Sequence, residues 1–376
     1  MSGAISRADP AGSKDKLSAG SLLRWRPLRA IPLAAGALAM AVGLWMGLVR
    51  LGVDLPGAGL SELHGALMIC GFLGTVISLE RAVALGREWP YAAPLLSCVG
   101  TIVLLAGMPS VAALTFLFAG LILLLASATI VARQPALFTV VLTIGAGCWG
   151  AGTLQWLLGD PMPAAVGWWL NFLVLTIAAE RLELSRLTKP LPSRQVTFAI
   201  VNALLLFGST RGELAAGAAP FTAVGLLGCS AWLLRYDLAR KTVYSVGQPR
   251  FAAFSILAGH VWLGIAGFLL LVVPPGATAF SYDAAVHAIA IGFVLSMIFG
   301  HAPIILPAVL GIRLRYGSFS YVPLALLHAS VILRVASDLL ERVDLRADSA
   351  IATIVALVAY AAHLAIMSRV AKPRTA

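Results

Sequence analysis

Apolar residues in this chain are gathered into long blocks, and polar residues fall in the short intervals between them. Twelve apolar runs stand out, at 31–50, 61–80, 91–108, 111–132, 136–158, 163–180, 195–210, 216–234, 251–273, 283–305, 319–340 and 349–369. Most reach the roughly 18 residues that carry a helix through a hydrocarbon layer about 30 Å thick. Pro109, Pro161 and Gly212 punctuate the joins, as helix breakers do. No polar stretch long enough for an inserted soluble domain interrupts the blocks. The pattern predicts an all-α fold: a polytopic membrane helical bundle with about 12 transmembrane helices, forming one domain over 31–370. Residues 1–30, with six basic residues, read as a disordered cytoplasmic tail, and 371–376 as a second short one. The charge and length ahead of the first run argue against a cleaved signal peptide.

Composition agrees. The 376 residues are 60% hydrophobic and 11% charged, with a mean hydropathy of +0.93. Soluble chains carry about 25% charged residues. The formal charge of +11 invites a nucleic-acid partner, but its distribution points elsewhere. With the N-terminus in the cytoplasm, the alternation of twelve helices puts 22 of the 27 lysines and arginines on the cytoplasmic side. Only Arg50, Arg211, Arg334, Arg342 and Arg346 fall on the other. That asymmetry is the positive-inside bias of a membrane protein. It places both termini in the cytoplasm, makes the lipid bilayer the partner and leaves no role for nucleic acid. A bacterial inner membrane is the expected location.

Two segments echo each other: "SLERAVALGR" at 78–87 and "AAERLELSRL" at 178–187. Each puts a Glu-Arg pair at the cytoplasmic end of a run, four runs apart. The echo points to three parallel units of four helices in a pseudo-threefold arrangement. Each pair taken alone reads as a solvated helix end with snorkelling side chains. Cys70, Cys98, Cys148 and Cys229 sit in separate runs without a CxxC and read as packing residues.

All six histidines, His64, His260, His287, His301, His328 and His363, lie inside predicted membrane helices. Ionisable residues at that depth face the bundle interior and mark function more often than chance. The ordinary alternative is a core histidine bonded to a neighbouring helix. His64 lies three residues after Ser61 and His287 four after Asp283, so both stand near the outer face. His260 and His328 fall near mid-membrane, and His301 and His363 deeper. Along one helix the 14 residues from His287 to His301 span roughly 21 Å, so one metal cannot take both. "HGALMICGF" at 64–72 and "HVWLGIAGF" at 260–268 share an H-x6-G-F pattern, and "HAIAIGF" at 287–293 is H-x4-G-F. Such glycines admit close approach of a helix or a flat ring.

Two histidines at one depth on different helices are what a six-coordinate haem requires. On that side Arg334 is the candidate for a haem propionate, with snorkelling as its plain alternative. His260, His301, His328 and His363 remain candidates for a second metal.

Taken together, these features resemble the catalytic subunit of haem–copper oxidases and nitric oxide reductases. In that family helices 2 and 10 supply the axial histidines of a low-spin haem, and His64 and His287 stand at the matching positions. The length is more similar to the NnrS family, twelve-helix haem- and copper-containing membrane proteins associated with the response to nitric oxide. The resemblance implies haem, and copper at a second site, in nitric oxide or redox stress. It also departs from the oxidases: the sixth and seventh runs hold no histidine, and the tenth lacks H-x-H. An oxidase-type haem–copper centre is therefore not expected. The alternative is a multi-pass transporter of a metal ion, proton or small solute, favoured by Pro303, Pro307 and Pro323 in the tenth and eleventh runs and disfavoured by the lack of acidic residues in helix centres. A third reading is a scaffold in which the histidines only pack. No HExxH, GxSxG or phosphate loop occurs, so hydrolase chemistry is not indicated. Substrate, haem type and oligomeric state are not legible at this level.

Overall fold

The computed structural model describes residues 26–186, 192–212, 214 and 219–370. Among these, every regular element is a helix and none is a strand. In chain order they are α1 (Arg26–Arg50), α2 (Gly59–Leu85), α3 (Ala92–Leu105), α4 (Pro109–Arg133), α5 (Leu137–Leu158) and α6 (Met162–Ser185). Then come α7 (Pro192–Thr210), α8 (Pro220–Tyr236), α9 (Gln248–Val272), α10 (Ser281–Leu310), α11 (Tyr321–Leu339) and α12 (Val343–Val370). A one-turn helix, Ala239–Thr242, fills the α8–α9 corner.

Among the described residues nine helices are long and apolar enough to cross a membrane: α1, α2, α4, α5, α6, α9, α10, α11 and α12. Helix α3 is apolar but shorter, and α7 and α8 fall outside that set. The tails expected at 1–30 and 371–376 lie outside the described residues, except that α1 already begins at Arg26. Its first turn has an anchor there: buried Arg29 donates to the Tyr91 hydroxyl at 3.0 Å.

The helices are apolar outside, and inside they mix small and polar residues with large aromatic ones. Helix α4 exposes Val111, Leu114, Phe118, Leu121 and Leu125 at helical spacing, and buries Ala112, Phe116, Ala119, Gly120, Leu123 and Ser127. Helix α12 exposes Ile351, Val355 and Val358 while it buries Ser349, Thr353, Ala356, Tyr360 and His363. In water this order would be costly; in lipid, large apolar groups lose nothing outside and small ones let backbones approach. Consecutive helices pack as neighbours, and α1 reaches both α10 and α12. Helix α6 also packs against α10.

Two helices change their winding. Leu67–Leu73 in α2 and Ala288–Leu295 in α10 are π-helical. Each starts at or just after a histidine, His64 or His287. Such bulges commonly occur at functional sites. Tight glycine contacts seat both. A Cβ on Gly74 would stand 2.6 Å from the buried Trp149 ring, and one on Gly292 would collide with Trp262. We expect Gly74→Val to cost about 1–3 kcal/mol through overpacking, seen as a lower unfolding temperature in detergent. Gly150→Ala, where nothing lies within 4 Å of the added carbon, should leave that temperature unchanged.

Candidate functional site

His64 stands near the start of α2, and its Nδ1 lies 2.7 Å from the carbonyl of Gly43 on α1. His287 stands one turn into α10, with Nδ1 2.8 Å from the carbonyl of Asp283. A carbonyl only accepts, so in both rings Nδ1–H is the donor. The neutral ring then presents its lone pair on Nε2. Neither Nε2 has a hydrogen-bond partner among the described residues. This is the arrangement seen in metal-ligating histidines, which give their second N–H to a carbonyl that fixes tautomer and orientation. Local packing explains the pose of His64. A Cβ on Gly47 would stand 3.0 Å from its Cε1, so glycine is what lets α1 lie against the ring.

The two rings are half-buried and within electrostatic reach of each other, and of Arg334. Helices α2 and α10 make no extended packing contact. A cavity of about 20 Å³ is enclosed elsewhere, lined by α6, α7, α8 and Ile289 of α10. That volume suits a water-sized guest, not a macrocycle.

Beside the histidines lies a buried cluster of four charges. Arg334 Nε donates to Asp338 Oδ2 at 2.8 Å, and its Nη2 is 3.5 Å from Asp283 Oδ2. Arg346 Nε donates to Asp338 Oδ1 at 2.6 Å, and its Nη2 bonds Asp283 Oδ2. The Arg346 guanidinium also covers the Phe280 ring, 3.6 Å from its centroid. Asp338 is fully buried, and Arg334 and Arg346 nearly so. Two cations and two carboxylates cancel. Asp283 serves twice: its carbonyl orients His287 and its carboxylate joins both arginines. Arg334 thus lies against Asp283 and Asp338, which already balance its charge. Arg50, near both His64 and Asp283, is paired at 2.8 Å with the exposed Glu62.

The remaining four histidines do not converge on one point. His328 Nδ1 accepts from Trp262 Nε1 at 3.1 Å. His363 Nε2 is 2.9 Å from Ser320 Oγ. His260 and His301 both approach an Arg181–Asp237 pair, at 3.7 Å from Asp237 and 3.4 Å from Arg181. Among the described residues no group of three or more His, Cys, Asp or Glu is placed to hold a metal ion. The echoing Glu-Arg pairs do meet: Arg81 reaches Glu180 at 3.4 Å, joining α2 to α6. The four cysteines are buried and free.

Sequence reasoning missed Asp338, Arg346 and Asp237 as partners. The i, i+4 spacing of Arg334 and Asp338 was a usable signal. Asp283 and Arg346, 63 residues apart, gave none. Acidic residues are absent from helix centres in the sequence, but Asp237, Asp283 and Asp338 are buried or half-buried at helix ends.

An all-helical protein with several helices fit to cross a membrane, holding paired histidines beside a neutral cluster of buried charges, is the class these features define. The chain belongs to a family described as a domain of unknown function, DUF8744, whose profile matches residues 29–369. A search among curated proteins finds no match.

Removing one member of the cluster strands a buried charge, at a typical cost of about 3–5 kcal/mol. We expect Asp338→Asn to lower the unfolding temperature sharply in detergent. Arg342→Ala, which breaks an exposed pair with Asp344, should leave it unchanged.

Proposed function

We propose that this is an integral membrane haem-binding protein of the bacterial inner membrane, acting in nitric oxide or redox stress, with His64 and His287 as the axial ligands. The observation that supports this is a pair of imidazoles on different helices, each with Nδ1–H tied to a carbonyl and with no partner for Nε2 among the described residues. The donor chemistry fits haem iron, for which neutral imidazole is a common ligand. Gly43 and Asp283 hold the two rings in the ligand tautomer and stop them from turning.

Held by His64 and His287, a haem would supply one-electron redox chemistry, and two histidine ligands would favour electron transfer or sensing over turnover. Arg334 and Arg346 lend two cations to the neighbourhood, but Asp283 and Asp338 already balance them. A propionate at Arg334 would have to share it with Asp338. Arg50 is the cation more easily redirected, because Glu62 is exposed to water. Copper has no assembled donor set in this reading.

We further infer twelve membrane spans in three parallel four-helix units with cytoplasmic termini. The basic-residue asymmetry and the meeting of Arg81 with Glu180 support this arrangement.

Protein purified in mild detergent from haem-sufficient cells should be coloured, with a Soret band and a low-spin spectrum. His64→Ala and His287→Ala should each abolish the low-spin spectrum, and His328→Ala should retain it. Colourless wild-type protein, or a spectrum indifferent to both ligand substitutions, would overturn the proposal.

A further inference from the structure

A second polar cluster lies along α10 from the first, about 21 Å away by helical rise. Four separate parts of the chain meet there: Arg181 of α6, Asp237 at the α8–α9 corner, His260 of α9 and His301 of α10. Arg181 donates to both carboxylate oxygens of Asp237 at 2.7 Å, and the backbone N–H of Ala239 adds a third bond at 2.7 Å. His301 Nδ1 donates to the Met297 carbonyl at 2.7 Å, which leaves its Nε2 to accept from Arg181 Nη1 at 3.4 Å. These three side chains are satisfied.

His260 is not. It is fully buried, and neither ring nitrogen has a hydrogen-bond partner among the described residues. A neutral imidazole carries one N–H and one lone pair, so both stand unmet in a medium where unmet polar groups are costly. Its Nε2 is 3.7 Å from Asp237 Oδ2. Asp237, Arg181 and His301 are the charged and titratable groups that act on it. The Ser230 hydroxyl donates to its carbonyl, and the Phe293 ring lies 6.3 Å from its own.

A metal cation suits this place poorly, because Arg181 occupies the carboxylate and adds a positive charge beside His301. A proton demands no coordination shell and needs only a lone pair and a counter-charge. We propose that His260 is a proton-binding site with Asp237 as its counter-ion, and that Arg181 and His301 are positioning residues. In the step, a hydronium ion gives its proton to the ring lone pair and leaves as water. One O–H bond breaks, one N–H bond forms, and the cluster passes from neutral to a single positive charge. The site is independent of the histidine pair proposed to hold haem.

Solid-state NMR of protein labelled with ¹⁵N-histidine in lipid vesicles tests this across a pH series. One imidazolium signal should grow as the pH falls, and it should be missing in His260→Gln. It should persist in His64→Ala/His287→Ala protein, so its fate is separable from that of the haem reading. At a pH where the wild type shows the signal, Asp237→Asn should lose it. Arg181→Gln combined with Asp237→Asn keeps the cluster neutral, provides a folded substitute if the single variant fails, and should lose it too. A His260 ring that stays neutral at every pH at which the fold persists would overturn the proposal. So would titration unchanged by removing Asp237, or displacement of the His260 signal by one equivalent of copper or zinc.

Discussion

A charge inside hydrocarbon persists only with an opposite charge beside it. That constraint organises this bundle. Asp283, Arg334, Asp338 and Arg346 come from three helices, and none of the four is tolerable there alone. Their mutual bonds fix the ends of α10, α11 and α12 against one another. His287 inherits its position from this lock, since the residue whose carbonyl holds its ring is also the residue whose carboxylate bridges the arginines. Arg181 and Asp237 repeat the solution elsewhere, tying α6 to the α8–α9 corner.

Helix-on-helix packing fills the space between these polar points. With no hydrophobic drive between helices in lipid, contact depends on small residues and shape. Gly47 against His64, Gly74 against Trp149 and Gly292 against Trp262 are such contacts. Each lets a backbone approach a ring flat on. The aromatic residues are in turn pinned by polar tips: Trp149 donates to Cys70 Sγ at 3.3 Å, Trp169 to Thr153 at 3.1 Å and Trp262 to His328.

The fold class was legible because lipid forces long apolar blocks, and block length is a one-dimensional property. Among the described residues nine helices meet the length and hydropathy of a span; α3, α7 and α8 are shorter or more polar, so the runs at 91–108, 195–210 and 216–234 were easier to delimit than to assign. That His64 and His287 stand near the starts of α2 and α10 was legible in the chain, since apolar block boundaries and a fixed rise set how far along a helix a residue lies. What stayed hidden depends on azimuth. Whether Asp338 faces Arg346, or His260 faces Asp237, turns on rotation about helix axes and on contacts between distant segments. The π-helical stretches carry no sequence mark beyond a glycine.

Those stretches make position along the chain and direction around the helix separable. Every residue of an α-helix advances about 100° around the axis, and a π bulge accommodates one residue outside that count. Helix α10 uses Ala288–Leu295 to set the phase between His287, upstream, and His301, downstream. Losing a single residue from the α-helical turns between that stretch and His301 would turn His287 by about 100° relative to everything below it. The ring would leave His64 and its lone pair would face another helix, though neither histidine had changed. The relation between the two polar clusters is thus written in helical phase, where an insertion or deletion is more disruptive than a substitution.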